Sequence, residues 1–172
     1  THALDLTLWI MDNYKPKYCV GTTYHKLNGD RSQANAWGEW DPDKFTVEDS
    51  AFGFIVMENG ATIMLESSWA LNIRNPKEAI TMICGTEGGA DMFDGLNINF
   101  VKNGRQCVLK PDLDAGGVAF YDGDGDEDPS VLDAVINDRE PRTKASQALV
   151  VTQILEAIYE SAKTGKPIYF DE

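Results

Sequence analysis

Cysteine and histidine are scarce, and basic residues are outnumbered. The 172-residue chain holds 3 cysteines, 2 histidines, and 15 lysines and arginines against 28 aspartates and glutamates. Cys19, Cys84 and Cys107 are odd in number and far apart. No CxxC or Cys/His spacing suggests zinc, so no metal is expected and a reduced, cytoplasmic setting is the default. The formal net charge of -13 argues against nucleic acid or an anionic membrane as a partner, since both need a basic patch. No apolar run is long enough to span a bilayer. The start has no signal-peptide shape, but it also has no Met and begins inside a helical pattern. The chain therefore reads as a fragment whose missing upstream part could carry an export signal. With 42% hydrophobic and 25% charged residues, the composition is that of a soluble globular chain with one sizeable core.

The stretch Ser50–Ala70 organises the rest. Two apolar runs flank Asn59-Gly60, a strong hairpin signal because both central residues of a type I′ turn need positive φ. Alternation puts Phe52, Phe54 and Val56 on one face and Ala51, Gly53, Ile55 and Met57 on the other. Neither face is polar, so the hairpin should lie mid-sheet with both sides covered.

Before it, His2–Asn13 has helical spacing. Leu4, Leu8 and Met11 form a stripe widened by Leu6 and Ile10, and His2, Asp5, Trp9 and Asp12 lie near the other face. Lys15-Pro16 breaks it. Lys17–Leu27 reads as a strand with Asn28-Gly29 as its turn, and Arg31–Asp43 as a long loop carrying Trp37 and Trp40. After the hairpin, Leu71–Lys77 is a loop containing Arg74. Glu78–Cys84 is a strand ending in the glycine-rich turn Gly85–Ala90. Asn97–Lys102 and Gln106–Lys110 pair around Asn103-Gly104, and Pro111–Asp128 is polar. Two helices close the chain: Ser130–Asp138 with Ser130 as its cap, and Lys144–Thr164 capped by Thr143 and ended by Gly165. The second shows two apolar arcs: Ala148, Leu149, Leu155 and Tyr159, and Val151, Ile154 and Ile158. So wide an apolar surface should be largely buried. Pro167–Phe170 is a short last strand. The layout is α+β: a single domain over residues 1–172 with an open, mainly antiparallel sheet and helices on one face. The other face is left apolar, which marks an interface, and a homodimer formed sheet on sheet is the natural solution.

Each candidate site has a plainer reading beside it. His2 and Asp5 stand one turn apart, so an imidazole general base could have its charged form stabilised by the acid, though a surface helix carries such pairs often. Thr86-Glu87-Gly88-Gly89 could cradle phosphate, but it lacks a Lys and a following helix, and a tight strand connection fits better. Asp122, Asp124 and Asp126, with Asp133 at the twelfth position, imitate a calcium loop. Its sixth position is Glu127 where Gly is required, which favours a solvated acidic loop. Trp37 and Trp40 could stack on a sugar ring or anchor a core, and His25 is most simply structural.

The order of motifs adds a resemblance. Thr1-His2-Ala3-Leu4-Asp5-Leu6-Thr7-Leu8-Trp9 resembles the G-T-H-x-x-D-L-x-x-W helix of the Gfo/Idh/MocA oxidoreductases, the glucose–fructose oxidoreductase and inositol dehydrogenase relatives. Val47–Phe52 followed by Glu58-Asn59-Gly60-Ala61, Ile83–Gly88, and Pro141-Arg142 through Ser161–Ile168 are similar to later family segments in the same order. The resemblance implies the C-terminal substrate and oligomerisation domain of an enzyme whose N-terminal Rossmann domain, absent here, binds NAD or NADP. It implies hydride transfer at a secondary alcohol of a sugar or polyol, with His2 catalytic and Asp5 and Arg74 on the substrate. It also implies a homo-oligomer, a dimer or dimer of dimers, through the open sheet face. The isolated chain, without the upstream Lys, Asp and nucleotide loop, would be inactive. The alternatives are a non-catalytic dimerisation or sugar-binding module of the same fold, or part of an NAD-dependent glycoside hydrolase.

Overall fold

The computed structural model describes residues 1–27, 41, 43–69, 71, 73–74, 78–111, 129–141 and 143–170. They form two compact units, residues 1–77 with 149–172, and residues 78–148. The Asn28-Gly29 turn, Trp37, Trp40 and the acidic run Asp122–Asp128 lie outside the described residues. In chain order the elements are α1 (His2–Met11), β1 (Pro16–Tyr24), β2 (Ser50–Met57), β3 (Thr62–Ser68), β4 (Met82–Cys84), β5 (Gly88–Asp91), β6 (Asn97–Lys102), β7 (Arg105–Leu109), α2 (Pro129–Ile136), α3 (Ala145–Thr164) and β8 (Ile168–Tyr169). The strands make two antiparallel sheets rather than one, each of four strands, ordered β3-β2-β1-β8 and β4-β5-β6-β7.

The first unit is built on the expected hairpin, with β2 inside its sheet. Its turn differs from the expectation. Gly60 has φ 87°, but Asn59 does not enter positive φ. The loop is four residues long, closed by Gly60 N–H to Met57 O at 2.9 Å and Met57 N–H to Ala61 O at 2.8 Å. Asn59 serves through its side chain, whose Oδ1 accepts the Ala61 N–H at 3.0 Å. The two-residue turn with both φ positive sits instead at Asn103 (51°) and Gly104 (71°), between the paired Lys102 and Arg105.

Strand alternation sorts this sheet into two faces of different fate. Cys19, Ile55, Met57 and Ile63 join Leu4 and Leu8 of α1 and Val151, Ile154, Ala157 and Ile158 of α3 in one buried cluster. Each fully buried Leu, Ile or Met there contributes roughly 1.5–3 kcal/mol. Both helices thus serve one face. The opposite face carries Val20, Tyr24, Phe52, Phe54, Met64 and Tyr169, all exposed.

Of the two apolar arcs on α3, one is core. Leu149 and Tyr159 point outward, so the helix is half buried rather than largely so. Ile10 likewise leaves the α1 stripe and is exposed. The α1 helix ends before Pro16 can break it, because Asp12 turns left-handed (φ 45°, ψ 43°) and its N–H bonds to Trp9 O at 3.1 Å. Lys144, not Thr143, precedes the first turn of α3. Its N–H donates to Gln147 Oε1 at 3.4 Å while its carbonyl accepts from Gln147 N–H at 3.0 Å. Gly165 ends the helix at φ 67° as expected.

The packing of α3 on the sheet depends on two glycines. Gly21 and Gly53 face each other across β1 and β2. A Cβ on either would lie 2.6 Å from Ile158, so the absent side chains are the groove that Ile158 fills. One turn further, the buried Ser161 Oγ accepts the Gly21 N–H at 3.0 Å and donates to Lys166 O at 2.7 Å. Strand β8 pairs Tyr18 and Cys19 and stops there. Ser161 takes over as acceptor for the next inward-facing strand amide.

The second unit is a meander. Ala79, at φ 52°, breaks the expected Glu78–Cys84 strand, leaving Met82–Cys84. The glycine-rich stretch is a tight strand connection, with Gly85 N–H on Gly88 O at 2.7 Å. Its second half is itself strand β5. A Cβ at Gly88 would meet Asn99 O at 2.7 Å and one at Gly89 would meet Ile83 O at 2.5 Å. Helix α2 begins at Pro129, so proline takes the first helical position and Ser130 lies inside the helix rather than capping it.

Candidate functional site

The first turn of α1 carries the sequence-predicted pair. His2 is exposed and Asp5 is half-buried, and Asp5 N–H bonds to Thr1 O at 2.9 Å. Thr1 gives no side-chain cap. The helix start therefore presents backbone N–H groups, an imidazole and a carboxylate on adjoining surface. Tyr14, just past the left-handed turn, belongs to the same electrostatic neighbourhood. Burial pushes its phenol up, and the carboxylates of Asp5 and Asp12 oppose its ionisation further. Tyr14 packs against the core cluster and remains a protonated hydroxyl. No motif singles out Tyr14 in the sequence. The signal was its place directly after the helix, where the chain folds back.

Arg74, the third predicted residue, is exposed in the segment after β3. The structure places it on a different element from His2 and Asp5. His25 lies just beyond the end of β1 rather than inside the strand, and it is exposed.

A second polar cluster ties the far end of the same sheet. Asp49, 4% exposed, accepts the Lys26 N–H and, at 2.9 Å, the Leu27 N–H. Its own N–H goes to Tyr24 O at 2.9 Å. Trp69 packs against Phe45 in a tilted pair with ring centroids 4.8 Å apart and donates its indole N–H to Glu48 O at 3.3 Å. Tyr159 Oη donates to Glu48 Oε1 at 2.6 Å. That bond is the main cause of a Tyr159 pKa raised from 10.0 to about 12, with burial and the Glu48 charge adding to it. A raised folded-state pKa stabilises the protonated phenol, so the contribution is complete below pH 10 and is lost as pH rises through about 12. In a phenolate absorbance titration, Tyr159→Phe should remove one ionisation at the alkaline end without touching those near pH 10. A profile unchanged at its alkaline end would show that the bond to Glu48 is not formed in solution.

In the second unit Asp91 is the organised carboxylate. Asn97 Nδ2–H bonds to its Oδ1 at 3.0 Å, Asn99 Nδ2–H to its Oδ2 at 3.2 Å, and the Phe93 N–H completes the set. The Asn97 bond chiefly holds the Asp91 pKa below the usual carboxylate value. The oxygens converge on a donor: Asn97 Nδ2 also bonds to Asp94 Oδ1 at 2.7 Å and to Gly95 O at 3.4 Å, so the cluster ties the β5–β6 connection together. Among the described residues no group of three His, Cys, Asp or Glu side chains could hold a metal ion. Among them, too, no helix is long and apolar enough to cross a membrane. Cys19 is buried and its thiol is pushed up to about 11 by desolvation, which makes it a packing residue. The glycine-rich turn leads into a strand and not a helix, so it offers no phosphate cradle.

An open-faced antiparallel sheet backed by helices, entered through a helix that bears His and Asp in its first turn, defines a domain class. A family model described as the GFO/IDH/MocA C-terminal domain matches residues 1–91, more than half of the chain, and the chain belongs to that family. It is 30% identical over 168 residues to the D-glucoside 3-dehydrogenase of Escherichia coli (strain K12), an alignment covering 95% of this chain and 45% of that protein. The chain thus spans about half the length of the curated relative it matches. Among solved structures it resembles the aldose-aldose oxidoreductase from Caulobacter crescentus complexed with glycerol, at TM-score 0.66 and 17% identity, covering 98% of this chain and 45% of that one. It also resembles an oxidoreductase from Agrobacterium radiobacter in complex with NAD+, L-tartaric acid and magnesium, at TM-score 0.63 and 18% identity, covering 96% and 46%. At such identities the likeness to the two structures is one of fold.

Proposed function

We propose that the chain is the substrate-facing and oligomer-forming half of an NAD(P)-dependent oxidoreductase acting on a secondary alcohol of a sugar, with D-glucosides the first substrates to test. The single observation that carries this reading is the alignment, over 95% of the chain, with a D-glucoside 3-dehydrogenase. The open sheet face, apolar and free of covering helices in its own unit, supports the oligomer part of the reading.

A preceding Rossmann domain would hold most of the nucleotide. When bound, the nicotinamide supplies the hydride acceptor. The work left to this chain is the proton. His2, exposed at the start of α1, would take the hydroxyl proton from the sugar through its imidazole as the carbon is oxidised. Asp5, one turn away and less exposed, would orient the imidazole or hold a neighbouring substrate hydroxyl. Arg74 would reach a further hydroxyl.

The test is made in the longer protein that carries the upstream region. His2→Ala should lower kcat for NAD(P) reduction by about 10²–10⁴-fold, the usual worth of a positioned acid–base group. KM for the glucoside should move far less. An unchanged kcat removes His2 from the chemistry.

A further inference from the structure

Among the described residues asparagine precedes glycine at Asn59-Gly60 and at Asn103-Gly104, and the two pairs are held differently. The dipeptide carries a reaction of its own. A glycine nitrogen, with no Cβ beside it, can attack the side-chain carbonyl carbon of the asparagine before it. Both pairs are exposed and both glycines stand in open space, so access does not choose between them. Hydrogen bonding does. At the first pair both reacting groups are occupied: Asn59 Oδ1 accepts the Ala61 N–H at 3.0 Å, and the Gly60 N–H donates to Met57 O at 2.9 Å. At the second, among the described residues, the Asn103 side chain has no hydrogen-bond partner and the Gly104 N–H has no acceptor. Charge adds to the contrast. Lys102 and Arg105 face each other across the strands that flank Asn103-Gly104, both exposed, and among the described residues neither has a carboxylate partner. Like charges so placed are mutually unfavourable. Asn59 instead follows Glu58.

We infer that Asn103 is a site of self-modification: in the folded protein it deamidates through Gly104, while Asn59 is protected. The Gly104 nitrogen gives its proton to solvent hydroxide and bonds to Asn103 Cγ. The bond from Cγ to the side-chain nitrogen breaks, and that nitrogen leaves as ammonia with a proton from water. The cyclic imide so formed is opened by water at either carbonyl, to aspartate or to isoaspartate. The net change turns an amide and a water into a carboxylate and an ammonium, so no oxidant or further reactant is needed. Lys102 and Arg105 favour each anion on that path, from the ionised amide nitrogen to the final carboxylate. The carboxylate in turn offsets their like charges. Isoaspartate also adds a methylene to the main chain. A two-residue turn with both φ positive has no room for it, so the Lys102–Arg105 pairing at the tip of β6 and β7 should be lost. At Asn59 the same reaction must first give up two hydrogen bonds, which slows it by about 10-fold.

The test holds the longer protein, upstream region included, in mildly alkaline buffer, once native and once in urea. Mass spectrometry of chymotryptic peptides follows the exchange of amide for acid at each site with time. Asn28-Gly29, outside the described residues, is read in its own peptide and enters neither comparison. In the native protein Asn103 should convert about 10-fold faster than Asn59, to a mixture of isoaspartate and aspartate. In urea, where neither turn persists, the two rates should come within about 3-fold of each other, the remainder being the screened effect of the neighbours Glu58 and Lys102. A native ratio no larger than the ratio in urea overturns the inference, because the local sequence would then set both rates. A faster Asn59 in the native protein overturns it as well. The double variant Lys102→Gln, Arg105→Gln separates charge from hydrogen bonding. It should slow Asn103 by about 3-fold and leave it ahead of Asn59. Loss of the whole difference in that variant overturns the protection assigned to the bonds at Asn59.

Discussion

Alanine at Gly21 should destabilise the first unit by about 3 kcal/mol, against about 1 kcal/mol for alanine at Gly53, although the two glycines are cross-strand partners. In an ordinary strand the same change would be neutral or favourable, because glycine loses more chain entropy on folding than alanine does. Here the new methyl group decides the sign. At Gly21 it would lie 2.6 Å from Ile158 Cγ2, 3.0 Å from the Ile158 carbonyl oxygen and 3.1 Å from its Cα. Two of those atoms are helix backbone, so relief requires moving α3 off the sheet. At Gly53 the nearest atom is Ile158 Cδ1 at 2.6 Å, the end of a side chain that can change rotamer. Urea unfolding of the two variants measures the difference. A double variant makes the reasoning stricter. Ile158→Val removes Cδ1 and keeps Cγ2, so it should relieve Gly53→Ala and leave Gly21→Ala as costly as before. Equal costs for the two glycines, or relief of both by Ile158→Val, would mean that α3 does not seat on the sheet through Ile158.

That asymmetry lies outside what the sequence shows. The hairpin faces were legible because alternation is local: Phe52, Phe54 and Val56 against Ile55 and Met57 can be sorted without knowing what covers them. Which face the helices take was not, since both are apolar and the choice falls to Gly21 and Gly53, glycines that read as weak strand residues until Ile158 is set against them. The turns show the same limit. Asn59-Gly60 and Asn103-Gly104 are the same dipeptide, yet only the second has both residues at positive φ. Loop length, set by strand register, chose between them. Strand β5 was hidden because Gly88 and Gly89 carry no pattern, and the close carbonyls that demand glycine come from residues 83 and 99. The division into two sheets was hidden for a related reason. A meander of short hairpins reads alike whether or not it joins its predecessor, and the left-handed Ala79 marks the break with no sequence signal. At the site, His2 and Asp5 were legible from spacing within one helix. Tyr14 was not, because the left-handed turn at Asp12 is what sets it against the core.

Ser161→Ala should cost about 2 kcal/mol, although serine to alanine in a helix gains propensity. The hydroxyl is buried and works at both ends, accepting from Gly21 N–H and donating to Lys166 O. Its loss leaves the buried Gly21 amide without its partner, at a desolvation penalty of roughly 1–3 kcal/mol, whereas Lys166 is exposed and its carbonyl can turn to water. Thr164→Ala is the internal control. Its Oγ1 donates to Glu160 O at 2.8 Å, but it is exposed, so water replaces the bond and the change should stay within about 0.5 kcal/mol. Native-state hydrogen exchange separates this account from a general loosening. If Ser161 is the acceptor that continues where β8 stops, its removal should speed exchange of the Gly21 amide beyond that of Cys19 and Thr23 on the same strand. Uniform acceleration along β1 would mean that the cost comes from packing. The distinction reaches the outer surface, because β1 carries Tyr18, Val20 and Thr22 on the open face while its inner side is pinned at Gly21. A strand released there would lose the register that sets the two Phe rings beside Val20.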